Sequence, residues 1–263
     1  MNAIVWALLG TLFTFSVTTL GALNVFWVKK EISNTFQGIF LGFAGGVMIA
    51  ASVWSLLLPG IQRAEENGQI SWLVVSGGFL LGVILLLLAD NLLQKRCEKR
   101  LSDGRVTNLR QSTLMLITAI TIHNIPEGMA VGLAFSLAMS DPTEPALFSG
   151  AAALSLGIGI QNYPEGTAVA LPLIKDGMGR KKAFFLGSMS AVVEPVFGVI
   201  AAIIASFVTP LMPLLLSFAA GTMIYVVVQE LLPEAQACDD GKTATLGFIA
   251  GILIMMILDV SLG

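Results

Sequence analysis

Two stretches of this chain carry side chains foreign to an apolar helix: His123-Asn124-Ile125-Pro126-Glu127-Gly128 and, thirty-eight residues on, Gln161-Asn162-Tyr163-Pro164-Glu165-Gly166. On a helix, positions i, i+1 and i+4 share a face, so His123, Asn124 and Glu127 project together, as do Gln161, Asn162 and Glu165. Imidazole, amide oxygens and carboxylates are donors that suit a divalent transition metal. Pro126 and Pro164 sit between the donors, where a missing N–H frees the carbonyls of Ile122 and Ile160 and bends the helix. A carboxylate at the bilayer centre costs roughly 2.5–3.5 kcal/mol, so two such clusters in mid-span need a compensating partner. A bound divalent cation is the simplest one.

The elements that must position these groups are membrane helices. The 263 residues are 56% hydrophobic and only 12% charged, with mean hydropathy +0.86, far from the roughly 25% charge of soluble domains. Apolar runs long enough to span a bilayer are expected at about 3–28, 36–59, 71–94, 111–139, 146–174, 182–207, 211–235 and 243–262. The first reads as a retained span, not a signal peptide. Lys29, Lys30, Lys95, Arg96, Lys99, Arg100, Arg105, Arg110, Lys175, Arg180, Lys181, Lys182 and Lys242 fall in alternate loops, leaving Arg63 alone on the other side. The positive-inside rule assigns the thirteen to the cytosol and both termini to the outside. Cys97 and Cys238 then lie on the cytosolic side, where thiols stay reduced, so neither a disulfide nor a cysteine metal site is expected. Nothing points to nucleic acid, and no soluble domain is long enough to fold.

The two signature spans match at seven of eleven positions over 123–133 and 161–171, and as consecutive spans they run antiparallel. A weaker echo links Leu57-Leu58-Pro59-Gly60 to Leu231-Leu232-Pro233-Glu234, and another links Asp90 to Asp259. The fold class is therefore all-α, a single polytopic membrane domain of eight transmembrane helices in a 3+2+3 inverted-repeat arrangement. Inverted repeats with kinked helices at mid-membrane mark secondary transporters. Gly38, Gly42, Gly45 and Gly46, with Gly77, Gly78 and Gly82 and with Gly247 and Gly251, allow close helix approach. They read as packing positions or as surfaces that slide.

Glu194, beside Pro195 in the sixth span, either completes the site or lines the path. Met48, taken alone, is core filler. Gln229, Glu230 and Glu234 form an exit vestibule or a hydrated helix end. Asp90 has Lys95 and Arg96 as candidate counter-charges, and Asp259 reads as interfacial.

An HNxPEG span followed by a QNxPEG span, with Glu-Pro in the next, resembles the ZIP (Zrt/Irt-like) family of divalent metal transporters, its GufA-like branch above all. The resemblance covers essentially the whole chain. It implies a passive, elevator-like carrier of zinc and related ions such as cadmium, iron and manganese toward the cytosol, commonly a homodimer, with a paired-metal site at mid-membrane. By the same resemblance His123, Glu127, Gln161 and Glu165 hold the first ion, with Met48 at the position of the family's second-span methionine. Asn124, Asn162 and Glu194 join the two glutamates around the second. The chain departs from relatives that have Asp at the position of Asn162 or His at that of Gln161, and its basic third loop lacks the histidines some relatives carry there.

The metal ion is thus expected as transported substrate, one or two ions per site, with no organic cofactor. Three carboxylates around a single ion leave excess negative charge, so a metal-free cluster is expected to retain a proton and uptake to depend on pH. Two rivals remain: a membrane-embedded metal-dependent hydrolase, for which one histidine is few, and a proton-coupled carrier of a small organic substrate. No HExxH, GxSxG or nucleotide-binding loop is present. Short loops suggest a prokaryotic inner membrane.

Overall fold

The first helix starts where the Asn2 side chain accepts a hydrogen bond from the Ile4 N–H, and the second where Ser33 does the same for Phe36, each satisfying an otherwise orphaned donor. The computed structural model describes residues 2–27, 33–102, 108–238 and 241–262. Lys29, Lys30, Arg105 and Asp239 lie outside the described residues, as do the side chains of Arg96, Cys97, Lys99, Arg100 and Arg110. Among the described residues no strand forms. The helices are α1 (Ala3–Ala22), α2 (Asn34–Ala51), α3 (Leu58–Glu66), α4 (Ser71–Ser102), α5 (Asn108–Ser140), α6 (Pro145–Lys175), α7 (Arg180–Ser190), α8 (Val193–Phe207), α9 (Met212–Val226), α10 (Leu232–Ala237) and α11 (Lys242–Leu262). Gly68, Gly177 and Gly241 take positive φ at the turns before α4, α7 and α11.

Among the described residues, six helical stretches are long and apolar enough to cross a membrane: Ala3–Phe26, Asn34–Glu66, Ser71–Leu92, Arg180–Phe207, Thr209–Ala237 and Lys242–Leu262. α5 and α6, at 33 and 31 residues, carry the polar signatures. Both run helically through their prolines, Pro126 in one and Pro164 and Pro172 in the other.

Prolines elsewhere reshape the helices. Pro195 has no N–H for the Ala191 carbonyl, and its ring crowds that carbonyl. The helix breaks at Ala191–Val192, and Glu194 lands in the first turn of α8. Pro59 and Pro233 pose the same problem to Ser55 and Gln229. There the backbone widens into π-helical turns at Ser52–Leu57 and Val227–Leu231, joining α2 to α3 and α9 to α10.

Packing divides the helices into two groups, α1 with α5 to α8, and α2 to α4 with α9 to α11. Inside the second group backbones meet directly. A Cβ at Gly42 or Gly46 would strike the carbonyls of Ala244 and Phe248, and one at Gly247 or Gly251 the carbonyls of Ile39 and Phe43. Gly82 and Gly221 play the same part between α4 and α9, against Phe218 and Phe79. These glycines are packing positions. Asp259 is 8% exposed and accepts a 2.8 Å hydrogen bond from Ser55 in the first π-helical turn. Asp90 takes its partner from α9, the Tyr225 hydroxyl at 2.9 Å.

Candidate metal site

α5 packs on α6, and their signature faces turn inward. His123, Asn124, Glu127, Gln161 and Asn162 are buried, and Glu165 is half-buried. The i, i+4 spacing puts His123 Nε2 3.6 Å from Glu127 Oε1. Across the helix pair, Gln161 Nε2 donates to the same Glu127 oxygen. Ligand atoms of His123, Glu127 and Glu165 all lie within 4.8 Å of one another. Three atoms so placed have a common centre at most about 2.8 Å away, against zinc–ligand distances of about 2.0–2.2 Å. Rotamer-scale movement closes the difference.

The acceptor inventory points the same way. Glu127 Oε2, Gln161 Oε1, Glu165 Oε1, Asn124 Oδ1 and Asn162 Oδ1 are buried with no hydrogen-bond partner among the described residues. A buried orphan of this kind costs about 1–3 kcal/mol, and five on two facing helices is not a packing solution. The unsatisfied oxygens of Glu127, Gln161 and Glu165, grouped with the His123 imidazole, suit a hard-to-borderline cation.

Glu194 is placed differently. Asn162 Nδ2 donates to both of its oxygens, at 3.0 and 3.1 Å, and lies 3.4 Å from the Thr14 carbonyl. The Thr14 hydroxyl donates to Glu194 Oε2. Thr14, Asn162 and Glu194 are all fully buried. The glycines ending the two signatures let these helices in. A Cβ on Gly128 would collide with the Glu194 backbone, and one on Gly166 with the Thr18 carbonyl and the Ala22 nitrogen. Each signature therefore supplies donors on one face and a docking notch for α8 or α1 on another.

Of the sequence-predicted residues, His123, Glu127, Gln161 and Glu165 converge, Asn124 lies beside Glu165, and Asn162 meets Glu194. Met48 lies fully buried in the apolar core, in one cluster with Val47, Ile158 and Met255. Thr14 is the residue that sequence reasoning missed. Its signal was Thr11, Thr14 and Thr18, at i, i+3 and i+7 on one face of the first span, all now buried.

The family model for the ZIP zinc transporters matches residues 99–259. Zinc transporter ZIP11 of Xenopus tropicalis is 36% identical, covering 100% of this chain and 98% of its own length. Zinc transporter GufA of Myxococcus xanthus is 33% identical over 97% and 98%, and zinc transporter ZIPB of Bordetella bronchiseptica 35% identical over 98% and 82%. With both signatures inside the matched region and full-length relatives well above 30% identity, the chain belongs to the ZIP zinc transporter family.

Proposed function

We propose that this chain carries divalent transition-metal ions, zinc foremost, across a membrane toward the cytosol by alternating access. The observation that carries this reading is the meeting of His123, Glu127, Gln161 and Glu165 around unpartnered buried oxygens. It is a transporter, as its relatives are named, and neither the hydrolase nor the organic-substrate alternative gains support. Iron, manganese and cadmium suit the same donors, and Met48 is kept as a proposed soft ligand. Alternating access of the elevator type, a homodimer and a prokaryotic inner membrane are carried forward as proposals.

The proposed topology has eight spans in a 3+2+3 inverted repeat with both termini outside. α5 and α6 become spans four and five, at about 50 and 46 Å long against a hydrocarbon core of about 30 Å. Several features support it. The principal helix pairings come as two related couples: α2 with α11 against α9 with α4, and α1 with α6 against α8 with α5. Swapping spans one to three for six to eight, and span four for span five, converts each couple into its mate. The two π-helical turns are exchanged by the same operation.

The test is zinc flux into empty proteoliposomes. Glu127→Ala and Glu165→Ala, each folded and monodisperse, are expected to abolish it. Full flux in either variant overturns the site.

A further inference from the structure

The acceptor atoms around the site are unevenly satisfied. Glu127, Gln161 and Glu165 each leave a buried oxygen without a partner, whereas both oxygens of Glu194 are taken. We propose that Asn162 and Thr14 reserve Glu194 by hydrogen bonding, so that this chain holds one divalent ion at a time, between His123, Glu127, Gln161 and Glu165. Asn162 is the residue that sets this number. The inference rests on the transport reading and specifies the stoichiometry of its cargo.

A second ion against Glu194 meets the Asn162 NH2 group, the positive end of an amide dipole, 3.0–3.1 Å from both carboxylate oxygens. Turning that amide over would present Oδ1 to the ion, but it would also remove the donor facing the Thr14 carbonyl at 3.4 Å. Thr14 approaches from α1, a different helix, so Glu194 is gripped from two directions inside a fully buried pocket. Charge alone does not separate the two cases: against Glu127, Glu165 and Glu194, one divalent ion leaves one negative charge over and two ions leave one positive charge over, so the hydrogen-bond geometry decides. A carboxylate at position 162 would supply the fourth negative charge and remove the competing donor in one step. Asn124 Oδ1 and Asn162 Oδ1 remain as neutral oxygens, suited to passing an ion along more than to holding it.

The test is metal stoichiometry of the full-length purified protein, equilibrated with zinc in a buffered free-ion series and assayed by elemental analysis. Wild type is expected to bind one zinc per chain and Asn162→Asp two. Two zinc ions on wild type, or one on folded Asn162→Asp, overturn the proposal. Should Asn162→Asp fail to fold, the anomalous signal of cadmium in the wild-type protein decides alone. A single peak between Glu127 and Glu165 supports the proposal, and a peak against Glu194 refutes it. Wild type that binds no metal and passes no zinc into liposomes instead refutes the transport reading beneath it.

Discussion

Gly128→Ala measures how tightly the first signature is held against α8. A Cβ at this position would sit 2.6 Å from the Glu194 Cα and 2.8 Å from its carbonyl carbon. Ordinary carbon contacts lie at about 3.5–4.0 Å, so the two backbones must part by at least about 0.9 Å. The neighbours are main chain and have no rotamer to yield. Overpacking of this kind costs about 1–3 kcal/mol, set against a gain of up to about 1 kcal/mol from replacing a helical glycine with alanine. At about 2–4 °C per kcal/mol for chains of this size, the apparent melting temperature in detergent should fall by several degrees. The same displacement carries Glu194 away from Asn162, stretching hydrogen bonds that now span 3.0 and 3.1 Å. Zinc flux should fall with it. Gly77→Ala is the control, since a Cβ there meets nothing within 4 Å, and it should melt at or slightly above wild type. Equal melting temperatures and equal flux for Gly128→Ala and wild type would refute the claim that these backbones touch.

Three further outcomes are expected. Ser55→Ala strips Asp259 of the hydroxyl at 2.8 Å while its other oxygen is already unpartnered, and should cost about 1–3 kcal/mol, read as a lower melting temperature that Ser55→Thr restores. Tyr225→Phe removes the donor to Asp90; the pair is only part-buried, so the loss should be about 1 kcal/mol in a denaturation midpoint. In the loop between α5 and α6, hydrogen bonds from the Thr143 hydroxyl and N–H hold the Asp141 carboxyl below the ordinary aspartate range. Because the folded pKa is depressed, its stabilising effect is present above the ordinary value near 3.9 and is lost as pH falls through the depressed one. Thr143→Val should raise that carboxyl's titration midpoint toward the ordinary value in a carboxyl-carbon NMR titration.

The donors of the two signatures were legible because a helix fixes which residues share a face: His123 and Glu127 meet as their four-residue spacing requires. The pairing of Asn162 with Glu194 lay further from reach, since it joins α6 to a helix that Pro195 restarts. The structure adds to that pair a threonine hydroxyl from α1 that the sequence did not single out. Thr14 was invisible for a plain reason. A hydroxyl in an apolar helix normally satisfies itself on the preceding turn, as Thr11 does on the Ala7 carbonyl at 2.7 Å, so sequence alone gives it no tertiary partner. The partner of Asp259 was equally out of reach, since Ser55 lies some two hundred residues away in the chain. Ser55 reaches it across α2 and α11 only because the glycines bring those helices so close. The π-helical turns follow from Pro59 and Pro233 in hindsight, yet a proline equally permits a simple bend.

Where Gly42 and Gly46 face Gly247 and Gly251, carbonyls of each helix rest on the other's α-carbons. A joint made of main chain has no side-chain hinge and little slack, so under the alternating-access proposal α2 and α11 are expected to move together, and the rearrangement to run along the seam where α5 and α6 pack against α2, α9 and α11.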